Sequence, residues 1–393
     1  MQVLLLGVGM QGKAALYDLA HSDGVTSVTA ADLDLASLEA YVKSQKLGAK
    51  VNCEFVNAND RGSIDHLMAR SPDVVVDLLP IRYIGNVAAS ALAHDVHYVN
   101  TYYVTEELEA LAEQALEKNI ALLPEFGLDP GIDLILLGEA KRHFDRIESV
   151  LSYGAGFPEP KAANNPLRYK VSWTFEGVLN AYMRPARLIQ AGKLVAIDAT
   201  NMFAPENVHH VEIETLGQLE AYPNGDALRY ADMLKLDRDQ IREMGRYALR
   251  WPGHCAFWKA LVDLHLLDVE PVMVDGCEID RRHFLAAVIE PNIQYQPDER
   301  DIALVRVEVT GQRNGRIEKA VYQMLDFRDL ATGLTAMSRT VGFSASVGAQ
   351  LIASGQLTKR GLLSPLTDIP YDLFVKELER RGVQISATQV GQF

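Results

Sequence analysis

A glycine-rich hexapeptide near the start of the chain constrains the fold more than any other sequence feature. It reads Gly7-Val8-Gly9-Met10-Gln11-Gly12, follows the apolar run at residues 3–6 and precedes apolar residues at helical spacing. In this setting the first glycine permits a tight turn, the second lets the backbone approach a pyrophosphate, and the third packs helix against strand. The arrangement predicts a dinucleotide site that includes Met10 and Gln11; a generic glycine-rich turn is the alternative.

An acidic residue, Asp32, stands 20 residues beyond Gly12, at the expected end of the second strand. A carboxylate there accepts hydrogen bonds from a ribose hydroxyl and repels a 2′-phosphate. No lysine or arginine follows before Lys43, so we expect NAD rather than NADP. Asp32 as a helix cap alone is the alternative. For Asp60, after the expected third strand, the sequence leaves two roles open: bordering the adenine pocket or capping the next helix.

Short apolar runs alternate with helical patterns over the first ~125 residues, which predicts a parallel sheet with helices on both faces. The predicted strands are residues 3–6, 27–31, 74–79, 98–101 and 120–124, and the predicted helices are 13–20, 36–44 and 106–118. Ligands of such sheets bind at the carboxyl ends of the strands. Pro80, Thr101, Tyr102 and the turn at residues 127–131 fall at such ends, where a nicotinamide ring and its substrate would meet.

A second region, from about residue 149, has longer half-alternating strands such as 302–310 and 320–326. The fold class predicted is therefore α/β: a Rossmann-type doubly wound parallel sheet, plus a second α+β domain with a mostly antiparallel sheet. Two helices, 344–354 and 371–381, occupy the tail before a short extended end. We expect domains at residues 1–128, 129–343 and 344–393.

Composition excludes several classes of function. The chain carries 52 acidic and 38 basic residues, a net charge of −14 that disfavours nucleic-acid and membrane-surface partners. Three distant cysteines argue against a disulfide framework or a zinc module, and neither a membrane span nor a signal peptide is expected, so the expected location is cytoplasmic. Adjacent histidines 209 and 210 would point to opposite faces of a strand, so no metal site is expected.

Several blocks beyond the first domain carry a family resemblance. They are Glu125-Phe126-Gly127-Leu128-Asp129-Pro130-Gly131-Ile132-Asp133, Asn164-Asn165-Pro166-Leu167-Arg168-Tyr169-Lys170-Val171-Ser172-Trp173, Ala221-Tyr222-Pro223-Asn224-Gly225-Asp226, Leu249-Arg250-Trp251-Pro252-Gly253, Glu299-Arg300-Asp301 and Thr335-Ala336-Met337-Ser338-Arg339-Thr340-Val341-Gly342. In this order they resemble the glutamate-forming saccharopine dehydrogenases, and the lysine 6-dehydrogenases share a looser version. The resemblance spans nearly the whole chain.

The resemblance implies a dimeric enzyme that reduces the imine of 2-aminoadipate semialdehyde and glutamate to saccharopine, or catalyses the reverse. It implies that Arg250 binds a substrate carboxylate and that Trp173 lines the substrate pocket. An ion-paired surface arginine and a core tryptophan are the alternatives for these two residues. Asp129 matches a pocket carboxylate that binds the substrate ammonium, or alternatively belongs to a turn that caps the next helix.

Lys170 could steer a carboxylate or act as an acid or base, or could be a solvated lysine. The resemblance also implies that Thr101 and Tyr102 offer hydroxyls to the substrate, although Thr101 could simply end its strand. No residue stands out as the general base.

Three positions depart from the family pattern. Gly154 stands where many members have cysteine, Gly225 stands where the family has arginine, and Arg168 stands where glycine is usual. Asp32 departs from the fungal enzymes, which use NADP. The sequence therefore leaves open three amine substrates: saccharopine, lysine as in lysine 6-dehydrogenase, and a polyamine precursor as in carboxynorspermidine synthase. A non-catalytic regulator that binds a dinucleotide is the alternative from another class of function.

Overall fold

A computed structural model describes residues 1–390, and its contacts divide the chain into two units. The first comprises Met1–Gly138 with Met337–Gln384, and the second comprises Glu139–Ala336 with the residues from Ile385 onward. The sequence predicted boundaries at 128 and 343. Gly138 belongs to the first unit because a side chain there would lie 2.0 Å from the Leu366 carbonyl oxygen. Gly342 belongs there because its backbone approaches Ala15 in the same way, at 2.6 Å.

Eighteen strands are described. They are β1 (Gln2–Leu6), β2 (Ser27–Asp32), β3 (Val51–Phe55), β4 (Val74–Asp77), β5 (His97–Asn100), β6 (Ala121–Leu123), β7 (Arg146–Pro158), β8 (Ala186–Gln190), β9 (Lys193–Ile197), β10 (His209–Ile213), β11 (Gly217–Pro223), β12 (Glu243–Arg250), β13 (Val272–Val274), β14 (Cys277–Ile279), β15 (Asp301–Arg313), β16 (Arg316–Phe327), β17 (Gly361–Leu362) and β18 (Gln384–Val390).

Fourteen α-helices accompany them. They are α1 (Met10–His21), α2 (Leu35–Ser44), α3 (Arg61–Met68), α4 (Ile84–Ala93), α5 (Glu106–Ala110), α6 (Ala112–Glu117), α7 (Ile132–Arg142), α8 (Phe175–Tyr182), α9 (Leu228–Leu234), α10 (His254–Asp263), α11 (Arg281–Ile289), α12 (Ala336–Ala353), α13 (Pro365–Asp368) and α14 (Tyr371–Arg380). The helix predicted at 106–118 is divided into α5 and α6. No described helix is long and apolar enough to cross a membrane.

The sheet of the first unit has the order β17-β6-β5-β4-β1-β2-β3, and all its pairs are parallel. The strand order reverses between β1 and β4, which places the ligand crevice of such a sheet beside the glycine loop. The strands are apolar almost throughout, as expected for a sheet covered on both faces. The predicted Rossmann-type parallel sheet is confirmed.

A buried ion pair ties the C-terminal segment of the first unit to α1. Asp18, on α1, accepts hydrogen bonds from the Arg381 Nε (2.7 Å) and the Ser346 hydroxyl (2.6 Å). Arg381 also pairs with Glu377 on α14 at 2.8 Å. Burial lowers the pKa of Arg381, but the two carboxylates outweigh it and raise that pKa above its usual value. The tail thus closes onto the dinucleotide-binding part of the chain through paired charges.

The second unit contains the order β10-β11-β12-β7-β15-β16-β18, with β8 and β9 attached beside β12. All registered pairs are antiparallel except β7 with β12, which confirms the expected mostly antiparallel sheet. One cluster of buried apolar side chains joins this sheet to α8 and α10, with Tyr182, Trp258 and Phe203 among its members. That cluster surrounds the arginine described below.

Candidate active site

The glycine loop joins β1 to α1 and contains two close backbone approaches. Gly7 has φ +85°, and a Cβ there would lie 2.8 Å from the carbonyl oxygen of Leu78. A Cβ on Gly12 would lie 2.1 Å from the Gly7 carbonyl oxygen, so only glycine fits. Gly9 faces open space and begins α1 without any side-chain cap. The first N–H groups of a 12-residue helix are therefore available to an anion, and this cradle fits a pyrophosphate.

Asp32 ends β2 beside this loop and is half-buried. Its Oδ2 accepts the backbone N–H of Val8 at 2.6 Å, and its Oδ1 accepts that of Asp34 at 3.0 Å. The carboxylate therefore shapes the glycine loop, and its contact with a ribose stays a prediction. The cap of α2 is Asp34, which accepts the N–H of Ser37, so the alternative role of Asp32 as a helix cap alone is wrong.

Asp60 begins α3 and accepts the backbone N–H of Gly62 at 3.0 Å. The structure thus gives it the helix-cap role, and its place at an adenine pocket stays a prediction. Its neighbour Asn59 accepts a hydrogen bond from the Tyr83 hydroxyl at 2.9 Å, which joins the loops after β3 and β4.

The carboxyl ends of β4, β5 and β6 carry the other predicted residues of the first unit. Pro80 is exposed after β4, whereas Thr101 and Tyr102 are half-buried after β5. The Thr101 Cβ lies only 3.1 Å from where a Gly127 Cβ would be, so the turn at residues 127–131 packs directly on the β5 loop. These residues therefore lie along one edge of the sheet, as the β-α-β pattern predicts.

The turn after β6 contains Asp129, which is half-buried and precedes a cis peptide bond to Pro130. The Gly127 N–H donates to the Pro130 carbonyl at 3.0 Å and closes the turn. The buried Asp133 accepts the N–H of Gly131 at 2.8 Å at the start of α7. Sequence reasoning did not single out Asp133, although its place in the Asp-Pro-Gly-Ile-Asp run marks it as a capping position.

In the second unit, Arg250 ends β12 and is only 7% exposed. Its guanidinium carbon lies 5.1 Å from the ring centroid of Tyr169 and 5.9 Å from that of Tyr222. Among the described residues no carboxylate pairs with it, so the surface-ion-pair alternative for Arg250 is wrong. Glu220, which faces Arg250 across β11 and β12, instead accepts the N–H groups of Gly253 and Cys255 at 2.7 and 2.9 Å.

Several buried polar atoms around Arg250 have no well-formed hydrogen bond in the described structure. They are the Arg250 Nε and the hydroxyl oxygens of Tyr169 and Tyr295. Burial raises the pKa of Tyr169 and Tyr295, whereas Arg250 acts against that rise in both. Both phenols are thus neutral hydrogen-bond donors at pH 7. Unpaired buried donors beside an unpaired cation indicate a site for an anionic ligand.

His254 completes this aromatic surrounding from the first turn of α10. Its Nε2 lies 2.8 Å from the Tyr182 hydroxyl, and its Nδ1 lies 3.4 Å from the Leu167 carbonyl oxygen. Burial and the charge of Arg250 hold the pKa of His254 well below its usual value. The ring is therefore neutral at pH 7, with Nδ1–H donating to Leu167 and Nε2 accepting from Tyr182. It cannot supply a second positive charge.

Lys170 is buried, with its side chain 6% exposed, so the solvated-lysine alternative is wrong. Its Nζ lies 2.7 and 2.5 Å from the two carboxylate oxygens of Glu299. Burial opposes ionisation of Glu299, but hydrogen bonds from Lys170 and the Gln296 N–H lower its pKa below the usual value. Lys170 is therefore held as a paired cation, and Glu299 is a partner that sequence spacing did not reveal.

Trp173 is half-buried and packs on the apolar cluster of the second unit, with its ring over Gly177 of α8. Its indole also approaches the Tyr169 hydroxyl and lowers the pKa of that phenol. Trp173 is therefore next to a ring that contacts Arg250. The structure thus supports both roles that the sequence left open. Sequence reasoning did not identify Tyr169, Tyr182, Tyr222, His254 and Tyr295 as site residues. Position within or beside a resemblance block was the only signal for Tyr169, Tyr222 and His254, and Tyr182 and Tyr295 lie outside the blocks.

The three departures have different surroundings within the second unit, and Gly154 lies in β7 opposite Ala248 of β12 and Val305 of β15. Arg168 has its guanidinium carbon 5.7 Å from the ring centroid of Trp251. Gly225 has φ +77°, and a side chain there would approach Arg246 at 3.6 Å. Nothing described in the structure shows Arg168 replacing the missing arginine at 225.

Among residues 1–390, no three His, Cys, Asp or Glu side chains are grouped as a metal site.

Comparison with known proteins identifies the family. The Saccharopine dehydrogenase C-terminal domain matches residues 127–383, and the Saccharopine dehydrogenase NADP binding domain matches residues 3–123. The chain therefore belongs to the saccharopine dehydrogenase family. It is a pyridine-nucleotide-dependent oxidoreductase of the class that acts on CH–NH groups.

Individual relatives agree. Saccharopine dehydrogenase (NADP(+), L-glutamate-forming) of Saccharomyces cerevisiae is 25% identical over 99% of this chain and 99% of its own length. The solved structure of apo saccharopine dehydrogenase (L-Glu forming) from that yeast has a TM-score of 0.86 over 99% of this chain and all of its own. Alpha-aminoadipic semialdehyde synthase of Bos taurus is 24% identical over 97% of this chain, which spans 47% of that protein.

These names support a nicotinamide dinucleotide as cofactor. The matched domain and the yeast relative are named for NADP, however, which favours NADP over the NAD that Asp32 predicts.

Proposed function

We propose that this enzyme is a glutamate-forming saccharopine dehydrogenase. It interconverts saccharopine, water and the oxidised dinucleotide with 2-aminoadipate 6-semialdehyde, glutamate, the reduced dinucleotide and a proton. The observation that carries the proposal is Arg250, a buried guanidinium with no carboxylate partner among the described residues. A cation kept from water without a counter-ion costs several kcal/mol unless a ligand supplies the negative charge. Saccharopine carries three carboxylates and meets that requirement.

The surroundings of Arg250 suit a carboxylate. A guanidinium offers a fork of N–H donors that matches two carboxylate oxygens, and the Tyr169 and Tyr295 hydroxyls add neutral donors. We assign Trp173 to the wall of this site. We propose that Asp129 binds the substrate ammonium and that Thr101 and Tyr102 offer hydroxyls to the substrate.

We propose NAD as the preferred cofactor, held by the loop of Gly7, Gly9 and Gly12 with Asp32 at the ribose. When bound, the nicotinamide supplies the hydride acceptor. A 2′-phosphate beside Asp32 would meet a carboxylate, and the next residue, Leu33, is an exposed apolar side chain that cannot neutralise it. The relatives' names favour NADP, and the assay below decides between the two.

In the oxidative direction, the carbon next to the secondary amine loses a hydride and the nitrogen loses a proton, which gives an imine. Water then adds to the imine, and cleavage of the carbon–nitrogen bond releases the aldehyde and glutamate. The residues of this chain orient the substrate carboxylates and hold the ammonium. We assign Lys170 an electrostatic role, because Glu299 already binds its ammonium.

Oxidation of the lysine ε-amine, with release of ammonia, is the second candidate. Asp32 favours it because that reaction is NAD-linked in the resembling family. Gly225 also fits it, since lysine has one carboxylate and needs fewer cations than saccharopine.

The test is an absorbance assay at 340 nm that offers saccharopine or lysine with NAD or NADP at alkaline pH. Reduction of the dinucleotide with saccharopine but not with lysine, with glutamate released, supports the proposal. Reduction with lysine alone, with ammonia released, transfers it to the second candidate. Absence of reduction with either substrate overturns both.

Cofactor choice has its own variant. Asp32→Asn removes the charge and keeps one acceptor oxygen, for the Val8 N–H, while the bond from the Asp34 N–H is lost. Combined with Leu33→Arg it should shift kcat/KM toward NADP by roughly tenfold or more, as for one or two gained charged hydrogen bonds. Leu33→Arg alone is the matched control. A wild-type enzyme that already prefers NADP would contradict the Asp32 argument.

We further propose a cytoplasmic homodimer whose second unit provides substrate binding and dimerisation. Cys53, Cys255 and Cys277 are all free, which suits a reducing compartment. Light scattering on the purified chain tests the dimer, and a mass of 43.5 kDa would exclude it.

A further inference from the structure

Asp77, the last residue of β4, has a carboxylate that is buried and fully used. The residue is 1% exposed. Its Oδ1 accepts the backbone N–H of Leu79 at 3.1 Å, and its Oδ2 accepts the hydroxyl of Tyr98 at 2.8 Å. These two bonds join the loop that follows β4 to the side of β5.

The network continues from Tyr98 into the loops after β5 and β6. Asn100, also fully buried, donates its Nδ2 to the Tyr98 oxygen at 2.9 Å and accepts the Tyr102 N–H on Oδ1 at 3.0 Å. The Phe126 N–H then donates to the Asn100 carbonyl at 2.9 Å, and the Glu125 N–H donates to the Tyr102 carbonyl at 2.8 Å. One side-chain network thus joins the ends of three neighbouring strands.

This network is costly to keep as a purely structural feature. The preceding residues of β4, Val74, Val75 and Val76, are fully buried and apolar, as a parallel core strand requires. Asp77 continues the same strand with an ionisable group that has no cation partner among the described residues. Violations of core patterning with complete hydrogen bonding are typical of functional sites.

The loop that Asp77 holds lies against the dinucleotide cradle. A Cβ on Gly7 would meet the Leu78 carbonyl oxygen at 2.8 Å and the Leu79 nitrogen at 3.0 Å. The Leu79 nitrogen is the atom that donates to Asp77, and Pro80 follows directly. At the other end of the network stand Thr101 and Tyr102, on the substrate side of the same sheet edge.

We propose that Asp77 is a positioning residue for hydride transfer. It fixes the position of the loop of Leu79 and Pro80 relative to the loop of Thr101 and Tyr102. Through Tyr98 and Asn100 it couples the nicotinamide end of the dinucleotide site to the substrate end. The inference rests on the proposed function, because the relative position of the two loops matters only where a hydride passes between them. It predicts no contribution to binding of the adenosine end.

The experiment compares wild type with Asp77→Asn and Tyr98→Phe. Asparagine keeps an acceptor for Leu79 but leaves the Tyr98 hydroxyl without its carboxylate, and phenylalanine removes the link itself. Asp73→Asn is the matched control, because Asp73 accepts the Gln2 N–H at 2.7 Å at the opposite, amino end of β4. For each protein, kcat and KM are measured with saccharopine, and affinities for NADH and for ADP-ribose are measured by titration.

Both network variants should lose roughly tenfold or more in kcat, as for one buried charged hydrogen bond, with KM changed less. NADH should bind severalfold more weakly, whereas ADP-ribose, which lacks the nicotinamide, should bind within about twofold of wild type. Asp73→Asn should match wild type throughout. If either folded network variant keeps the wild-type kcat, or if ADP-ribose and NADH weaken equally, the inference is overturned.

Failure of the proposed function is recognised separately. A wild-type enzyme that oxidises neither saccharopine nor lysine overturns that function. In that case the difference between the affinities for NADH and for ADP-ribose in the two variants still tests whether Asp77 positions the loops, since that measurement needs no substrate.

Discussion

Replacing Asp77 with asparagine isolates the cost of burying a carboxyl group in the first unit. Burial raises the pKa of Asp77 to about 7, although the bonds from Tyr98 and Leu79 lower it in part. In an unfolded chain the pKa of an aspartate is about 3.9. The folded protein therefore holds a proton that the unfolded chain has lost throughout the range between these values.

The sign follows from that difference. Because the folded state binds more protons, wild-type stability is highest below the unfolded pKa and falls as the pH rises toward the folded pKa. The full loss corresponds to about 4 kcal/mol at ~1.36 kcal/mol per unit, of which roughly 2 kcal/mol falls between pH 5.5 and pH 8. Asparagine does not titrate, so Asp77→Asn should gain about 2 kcal/mol relative to wild type over this interval. The Tyr98 bond favours the ionised form of Asp77, and the pH-dependent part of its effect is already contained in the folded-state pKa.

Hydrogen exchange followed by mass spectrometry suits this test because the three tryptophans, at 173, 251 and 258, all lie in the second unit and would report on the wrong part of the chain. Peptides covering β4 and β5 report opening of the first unit. After correction for intrinsic rates, their protection in Asp77→Asn relative to wild type should rise roughly thirtyfold from pH 5.5 to pH 8. Peptides from β15 and β16 in the same samples are the control. A ratio that stays constant or falls with pH would refute the reasoning.

Three further substitutions test the two units. Gly12→Ala places a methyl group 2.1 Å from the Gly7 carbonyl oxygen, so NADH affinity should fall by roughly tenfold or more in a fluorescence titration, and unchanged affinity would contradict the cradle. Arg250→Lys keeps the charge but loses the fork of donors, so the KM for saccharopine should rise about tenfold or more while NADH affinity stays the same. Glu299→Gln leaves the buried Lys170 without its counter-ion and should lower the unfolding free energy of the second unit by about 3 kcal/mol, measured by tryptophan fluorescence in urea. A loss below ~0.5 kcal/mol would place Lys170 among weakly coupled surface pairs.

Some element boundaries show why local pattern alone is insufficient. The strand predicted at 74–79 ends at Asp77, because the Asp77 side chain accepts the Leu79 N–H and turns the backbone. The helix predicted from residue 344 begins at Ala336 as α12. The Ala336 N–H donates to the Asp301 carboxylate at 2.7 Å, a cap that comes from 35 residues earlier in the chain. A window of neighbouring residues does not contain such a partner.

The sequence by itself determined the dinucleotide-binding fold, the order of the first strands and helices, and the residues of the glycine loop. Those features follow from backbone conformation and from periodicities of two and 3.6 residues, which are local properties of the chain. It also gave Asp32 as a candidate cofactor residue from its spacing to Gly12, and Arg250 and Trp173 as candidate substrate residues from the family resemblance.

Only the tertiary structure decided the charge state and partners of the buried groups. Lys170 meets Glu299 across 129 residues of chain, whereas Arg250 meets aromatic rings and no carboxylate. In the sequence Asp77 looks like one more residue of its strand, and only the structure shows that it accepts hydrogen bonds from the Leu79 N–H and the Tyr98 hydroxyl. The strength of a charge depends on the water and ions excluded around it, and that exclusion is a property of packing between distant segments.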